Sequence, residues 1–321
     1  MPERMVYVSN LMSGTVSVID PEKRELKKNI RVGKYPVFSL GYPPGEKKIL
    51  VTLHNYEKKE GGGRLLLVDP LRGKIIRKIT YRGIAVPSGM VYDIKREVLY
   101  VADENLNRIW IHDGRTLELT ASLAAGTAPV HADISRDGDH LVVTNRLSSD
   151  LSLYNLKRVS GNGGDALITT IPLGGTAGTS CHPYDVKFSA APSLCCVTDF
   201  DAGELLIADI VGQRVTHRIR LGSRSFGLAL DSTREKVYVC NMGSGSISVI
   251  RLDKRERVGE ITGLCTPCHC VFDERGGQLV VSDQGGAAGP GVHFIDLATE
   301  QIVRTISDKM IRSPIGVTLG V

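Results

Sequence analysis

The chain has 321 residues, with 40 Lys and Arg against 35 Asp and Glu, a formal charge of only +5 in which both signs are mixed, as in Glu57-Lys58-Lys59-Glu60. That is the pattern of a solvated surface, and it leaves no concentrated basic footprint for nucleic acid. With 42% hydrophobic but only 5% aromatic residues, a core must rest on Val, Ile and Leu in sheets, and no run of 18 apolar residues exists that could cross a membrane as a helix.

The first predicted element is a hairpin. Val6-Tyr7-Val8-Ser9-Asn10 and Thr15-Val16-Ser17-Val18-Ile19-Asp20 are β-branched runs joined by a polar turn containing Gly14, the composition that favours strands and their tight connections. The phrase returns along the chain. Its first strand ends successively at Asn10, Leu53, Asp103, Asn145, Asp199, Asn241 and Asp283, in steps of 43, 50, 42, 54, 42 and 42 residues. Units of about 40–45 residues holding several short strands are the signature of a β-propeller. A single blade cannot bury both faces without neighbours, so the spacing predicts one all-β, seven-bladed domain over 1–321.

Each unit carries four strand signals; in the sixth they fall at Phe226–Leu230, Val237–Asn241, Ser246–Ile250 and Arg257–Ile261. A corner precedes each unit, and its proline marks the start of an innermost strand, where no ladder donor is needed. These are Pro36, Pro87, Pro129, Pro183, Pro267 and Pro314, with Ser225 in the remaining corner. The chain opens at a second strand and ends on an orphan first strand, Pro314–Leu319. Pairing the two completes the seventh blade and removes two open edges. The long steps are insertions: His54–Gly63, a charged and glycine-rich loop, and about 156–181, which overhangs a corner where propellers place binding groups.

All seven cysteines lie between Cys181 and Cys270. An odd number without an apolar leader fits free thiols in a reducing compartment. The expectation is a cytoplasmic monomer.

The repeat resembles that of the YVTN family of β-propellers, in Val6–Asp20 and again in Val237-Tyr238-Val239-Cys240-Asn241 with Ser246–Ile250. A narrower resemblance is to the seven-bladed lactonases, the 6-phosphogluconolactonase-like and muconate-lactonising group. It rests on Pro129-Val130-His131 with Asp137-Gly138 and Asn145, and on His182-Pro183-Tyr184-Asp185 with Asp199 and the glycine-containing insertion before His182. That resemblance implies an arginine and a glutamate in the next unit, where this chain has Phe226 and Met242, and a second histidine where it has Tyr184. A phenyl ring offers no cation and a thioether takes no proton.

Residues two beyond each corner are expected at the mouth of the central channel: Phe38, Gly89, His131, Asp185, Gly227, His269 and Gly316. His131, Asp185 and His269, with His182, Cys268 and Cys265 nearby, form the candidate ligand-binding set. A transition metal, Zn or Cu, held by His131, Asp185, His269 and Cys268 is one reading; a polar, water-filled mouth is the other. Cys265-Thr266-Pro267-Cys268-His269 has the form of a c-type haem attachment, but Pro267 is the corner proline and Pro-x-His repeats the phrase at Pro129. No nucleotide-binding fingerprint is present. Cys195, Cys196 and Cys240 read as packing residues, Cys240 standing where the other repeats favour Thr or Ser. The strand-end Asp and Asn residues read as turn formers, and His112 and His293 as surface or inter-blade residues.

Three function classes follow, the last being a haem or thiol redox protein built on Cys265 and Cys268. One is a non-catalytic binding protein that presents a site for a small molecule, metal or protein at the channel mouth. Another is a divergent lactonase-like hydrolase using the mouth histidines. No catalytic residue is assigned.

Overall fold

The computed structural model describes residues 4–34, 37–41, 47–54, 62–159, 166–174, 180–231, 235–286 and 289–320. Pro36, most of the first insertion and the glycine-rich parts of the second lie outside them. Among the described residues, seven four-stranded antiparallel sheets form a seven-bladed β-propeller with one short 3-10 turn, Leu156–Arg158.

In chain order the first sheet contains β1 (Met5–Asn10), β2 (Thr15–Asp20) and β3 (Glu25–Arg31), and the second β4 (Val37–Gly41), β5 (Ile49–Leu53), β6 (Arg64–Asp69) and β7 (Lys74–Thr80). The third is β8 (Pro87–Asp93), β9 (Val98–Asp103), β10 (Arg108–Asp113) and β11 (Leu119–Ala124). The fourth is β12 (Pro129–Ile134), β13 (His140–Asn145), β14 (Asp150–Asn155) and β15 (Leu167–Pro172). The fifth is β16 (Pro183–Phe188), β17 (Leu194–Asp199), β18 (Glu204–Asp209) and β19 (Arg214–Arg220). The sixth is β20 (Ser225–Asp231), β21 (Lys236–Asn241), β22 (Ser246–Arg251) and β23 (Glu256–Ile261), within a residue of the expected strands. The seventh is β24 (Pro267–Asp273), β25 (Gln278–Asp283), β26 (Gly291–Asp296) and β27 (Gln301–Ile306). The last strand, β28 (Pro314–Gly320), pairs with β1 and completes the first blade, as its sequence requires.

Burial follows strand rank. Second strands such as β1, and third strands such as β2, are buried along their whole length, whereas the outermost strands alternate or are exposed. Blade faces pack on each other, so the middle strands read as continuous apolar runs instead of one-sided alternation.

Contacts divide the chain into two compact units: 1–87 with 240–247 and 260–321, and 88–239 with 248–259. In the first unit Met5, Tyr7, Val16, Val18 and Ile30 pack on Ile49, Val51 and Leu66. A second layer there joins Val6, Val8 and Ile19 to Val280, Val292 and Phe294. In the second unit Tyr100, Ile109 and Ile111 pack on Leu141, Val143 and Tyr154, and Val142, Leu151 and Leu153 on Val186, Val197 and Leu206.

One side-chain device repeats through the inner strands. A bulge interrupts pairing just after the first residue of β4, β12, β16 and β24. It frees the amide two residues on, and a hydroxyl from the neighbouring second strand accepts it. Thr144 Oγ1 accepts from His131 N at 3.1 Å and donates to Tyr184 O of the following inner strand at 2.8 Å. Thr198 Oγ1 likewise accepts from Asp185 N at 3.0 Å and donates to Phe226 O at 2.6 Å. Ser9 and Ser282 do the same with Gly316 and Phe38, and with His269 and Ile315. Thr52 accepts from Ser39 N. Ala102 and Cys240 occupy this place in the other two blades and carry no hydroxyl.

This register corrects one expectation. The residue equivalent to His131, Asp185, His269 and Gly316 in the second blade is Ser39, not Phe38, because it is Ser39 whose amide reaches the hydroxyl. Val37, not Pro36, pairs with the second-strand end, Leu53, so counting from Pro36 falls one residue short.

Candidate functional site

At Gly89, His131, Asp185, His269 and Gly316 the side-chain position two residues into the inner strand faces the next inner strand. In the second unit, a Cβ added to Gly89 would come within 2.5 Å of Val130 O and 2.9 Å of His131 Nδ1. Glycine is therefore needed there for close approach of the strands. His131 Nδ1 in turn lies 3.7 Å from Asp185 Oδ1. Asp185 is buried, and its two oxygens accept from Val186 N at 2.8 Å and from Leu228 N, on the following inner strand, at 3.0 Å. Its carboxylate thus joins β16 to β20.

Around His131 and Asp185 stands an aromatic cluster. The ring of Tyr184 lies 3.8 Å from that of Phe226, centroid to centroid, and 5.5 Å from that of His131. Phe200 sits 6.4 Å from Tyr184 and meets Phe226 edge-on at 6.0 Å. Phe226 is buried, while Tyr184 and Phe200 are half-buried and keep surface to offer. Phe226 stands where the lactonase resemblance implies an arginine, and it serves as the floor on which Tyr184 stacks.

Phe200 is the first residue after a second strand. The same place holds Glu104 and Arg146 in the two preceding blades. These two side chains meet, Arg146 Nη2 to Glu104 Oε2 at 3.5 Å, and the Ser88 hydroxyl donates to the other carboxylate oxygen. Burial raises the Glu104 carboxyl above its ordinary range, while Ser88 and Arg146 pull against that shift. Sequence reasoning missed Glu104, Arg146 and Ser88. A signal was available, because the position after the second strand is the one compared at Met242, and scanning it through all seven units yields Glu104 and Arg146.

Deeper in the same strands, Phe188 N donates to Asp133 Oδ2 at 2.7 Å, and Lys187 Nζ lies 4.0 Å from Asp133 Oδ1. Burial raises the Asp133 carboxyl, with Lys187 opposing. For Lys187 burial works against the charge, yet Asp133 and Asp185 hold its ammonium above the usual lysine range.

The remaining expected site residues are placed elsewhere. His182 lies on the corner loop, where its Nδ1 is paired with the Asp201 carboxylate. In the first unit, His269 Nδ1 is 3.1 Å from Ile315 O, the same strand-to-strand direction as His131. Cys268 is buried, its Sγ 3.5 Å from Thr266 O, and burial pushes its thiol up. Among the described residues no three His, Cys, Asp or Glu side chains are grouped so as to hold a metal ion. Of the expected set, His131 and Asp185 lie in the second unit, and His269 and Cys268 in the first. A backbone carbonyl faces His269 Nδ1, and backbone amides face the Asp185 oxygens.

All seven cysteines are free, and Cys195, Cys196 and Cys240 are buried as packing residues. Burial raises Cys196 to about 12. Cys265 is exposed, whereas Cys268 is not, so the two sulfurs of the Cys-x-x-Cys-His phrase face different surroundings. Of the two places expected for His112, surface or between blades, the surface is ruled out: it is fully buried, with Nδ1 3.0 Å from Leu117 O. His293 lies beside Asp283, Nε2 to Oδ2 at 3.3 Å. The strand-end carboxylates hold turns as expected. Asp283 accepts from Cys265, Thr266 and Gly285 amides, and Asp199 from those of Asp201, Ala202 and His182.

Comparison with known proteins gives fold alone. No family model matches the sequence, and no curated protein matches it. A crystal structure of a functionally unknown protein from Desulfotomaculum acetoxidans DSM 771 superposes with a TM-score of 0.77 over 98% of each chain, at 9% identity. No helix among the described residues is long and apolar enough to cross a membrane.

Proposed function

We propose that the chain is a non-catalytic binding protein, one seven-bladed domain of YVTN type, whose inner strands and adjoining turns in the second unit recognise a small ligand. The observation that carries this reading is the juxtaposition at one end of those strands. Two half-buried aromatic rings, Tyr184 and Phe200, rest on the buried ring of Phe226 beside His131. In the two preceding blades the position equivalent to Phe200 holds a carboxylate and a cation that pair with each other, Glu104 and Arg146. Aromatic faces with a few placed polar groups are the usual make-up of a small-ligand site. The ligand class that fits has a flat ring face for Tyr184 and Phe200 and a carboxylate for Arg146.

Binding is favoured over hydrolysis by the state of the groups that a hydrolase would need. Both oxygens of Asp185 are engaged by backbone amides, so it is poorly placed to orient or drive His131 as a base. The lactonase-like alternative rests on His131 lying beside Asp185, and predicts lactone hydrolysis that disappears in His131→Ala.

Calorimetric titration with 4-hydroxybenzoate and with glucuronate tests the proposal. Measurable binding that falls about tenfold or more in Tyr184→Ala and in Arg146→Ala, with melting temperatures near that of the parent, is the expected result. Binding unaffected by both substitutions, or by neither compound at millimolar concentration, would contradict it.

A further inference from the structure

We propose that β19, the outermost strand of the fifth blade, is a docking edge for an extended peptide segment of a partner protein, acidic on one face and aliphatic on the other. This surface is separate from the inner-strand site and does not depend on it.

The edge is open. β19 ends its sheet, and among the described residues none of Arg214–Arg220 makes a backbone hydrogen bond outside that sheet. An open edge offers amides and carbonyls to an added strand. A groove lies on either side of β19. One, of about 500 Å³, is lined by Leu194, Asp209, Arg214, His217 and Arg255 together with Val215 and Thr216. The other, of about 550 Å³, is lined by Pro172, Leu173, Gly174 and Arg218 with the same central residues. Side chains of an added strand alternate in direction, so alternate residues would enter the two grooves in turn.

The grooves differ in chemistry, and that fixes the occupant. In the first, Arg214 and Arg255 make no ion pair among the described residues, although Asp209 lines the same groove. Arg255 donates to His217 Nε2 at 2.9 Å. In the second, Arg218 is already taken by Glu204 at 3.1 Å and by the carbonyls of Leu173 and Gly174. That leaves Pro172 and Val215 as its apolar lining, beside Thr216 and His217. Carboxylates therefore suit the first groove and aliphatic side chains the second. Arginines on an edge also repel an identical strand from a second copy, whereas an acidic strand turns the same charges into attraction.

The test uses the full chain and a fluorescein-labelled peptide, Glu-Val-Glu-Val-Glu-Val-Glu, followed by fluorescence anisotropy and by amide hydrogen exchange. Saturable binding is expected, with added protection of the Arg214–Arg220 amides. A loss of affinity of about tenfold or more is expected in Arg214→Glu/Arg255→Glu. The milder Arg214→Gln/Arg255→Gln pair should show a smaller loss at an unchanged melting temperature, which separates loss of charge from loss of fold. A Lys-Val peptide of the same length should not bind. Equal binding by a peptide N-methylated at alternate residues would reduce the contact to charge and overturn edge pairing. Full competition by inorganic phosphate with no protection of β19 would overturn it too, as would unchanged binding in the Arg variants.

Discussion

Thr198 uses its single hydroxyl twice, accepting from Asp185 N in its own blade and donating to Phe226 O in the next. Replacement by valine keeps the shape and strands both backbone groups in a buried setting. An unsatisfied buried group costs about 1–3 kcal/mol, so Thr198→Val is expected to lower stability by roughly that amount in chemical denaturation; no loss would show the hydroxyl to be dispensable. His54 supports a pH prediction. Burial holds its imidazole down to about 3, against a carbonyl contact from Pro87, while it stacks on Phe38 at 4.2 Å. In the unfolded chain it titrates near 6.5. Between those values the unfolded chain holds the extra proton, so this contribution to stability is full above about pH 6.5 and is lost as pH falls toward 3. The melting temperature of His54→Phe is expected to fall less between pH 7 and pH 4 than that of the parent, and an identical slope would contradict the assignment.

At the level of elements, the strands and their ranks were legible because each repeat states the same pattern: a β-branched second strand, a small turn, a third strand and an exposed fourth. Proline at the inner-strand start marked the corners correctly at Pro87, Pro129, Pro183, Pro267 and Pro314. It misplaced the second blade by one residue, since a corner proline is a habit of sequence and the bulge is what sets register. The direction of side chains two residues into the inner strands was not legible, because it depends on that bulge and on hydroxyls from another strand. The backbone contacts of Asp185 and of His269 Nδ1 were thus not foreseen. Glu104 and Arg146 went unseen because they are far apart in sequence and meet only when neighbouring blades stand side by side. Closure by β28 was legible and carries a prediction. Deleting Pro314–Val321 unpairs β1 along one edge and uncovers the layer of Val6, Val8 and Ile19 on which Val317 and Leu319 rest. The truncated chain is expected to melt far below the parent or to be recovered as aggregate, and coincident melting curves would contradict closure.

For the whole molecule, seven repeats sharing inter-blade layers predict a single cooperative unit. Calorimetry is expected to show one transition whose van't Hoff and calorimetric enthalpies agree, and two separated transitions would contradict a single domain. A likeness at 9% identity carries the fold and nothing about activity, so function rests on the side chains that the scaffold brings together. The proposed ligand site in the second unit's inner strands and turns is built on Tyr184, Phe200, His131, Glu104 and Arg146. The most direct measurement is a crystal structure of the chain soaked in millimolar 4-hydroxybenzoate. The account predicts electron density for the ring against Tyr184 and Phe200, with the carboxylate directed at Arg146. A well-ordered site with no such density, or density only elsewhere on the molecule, would contradict it.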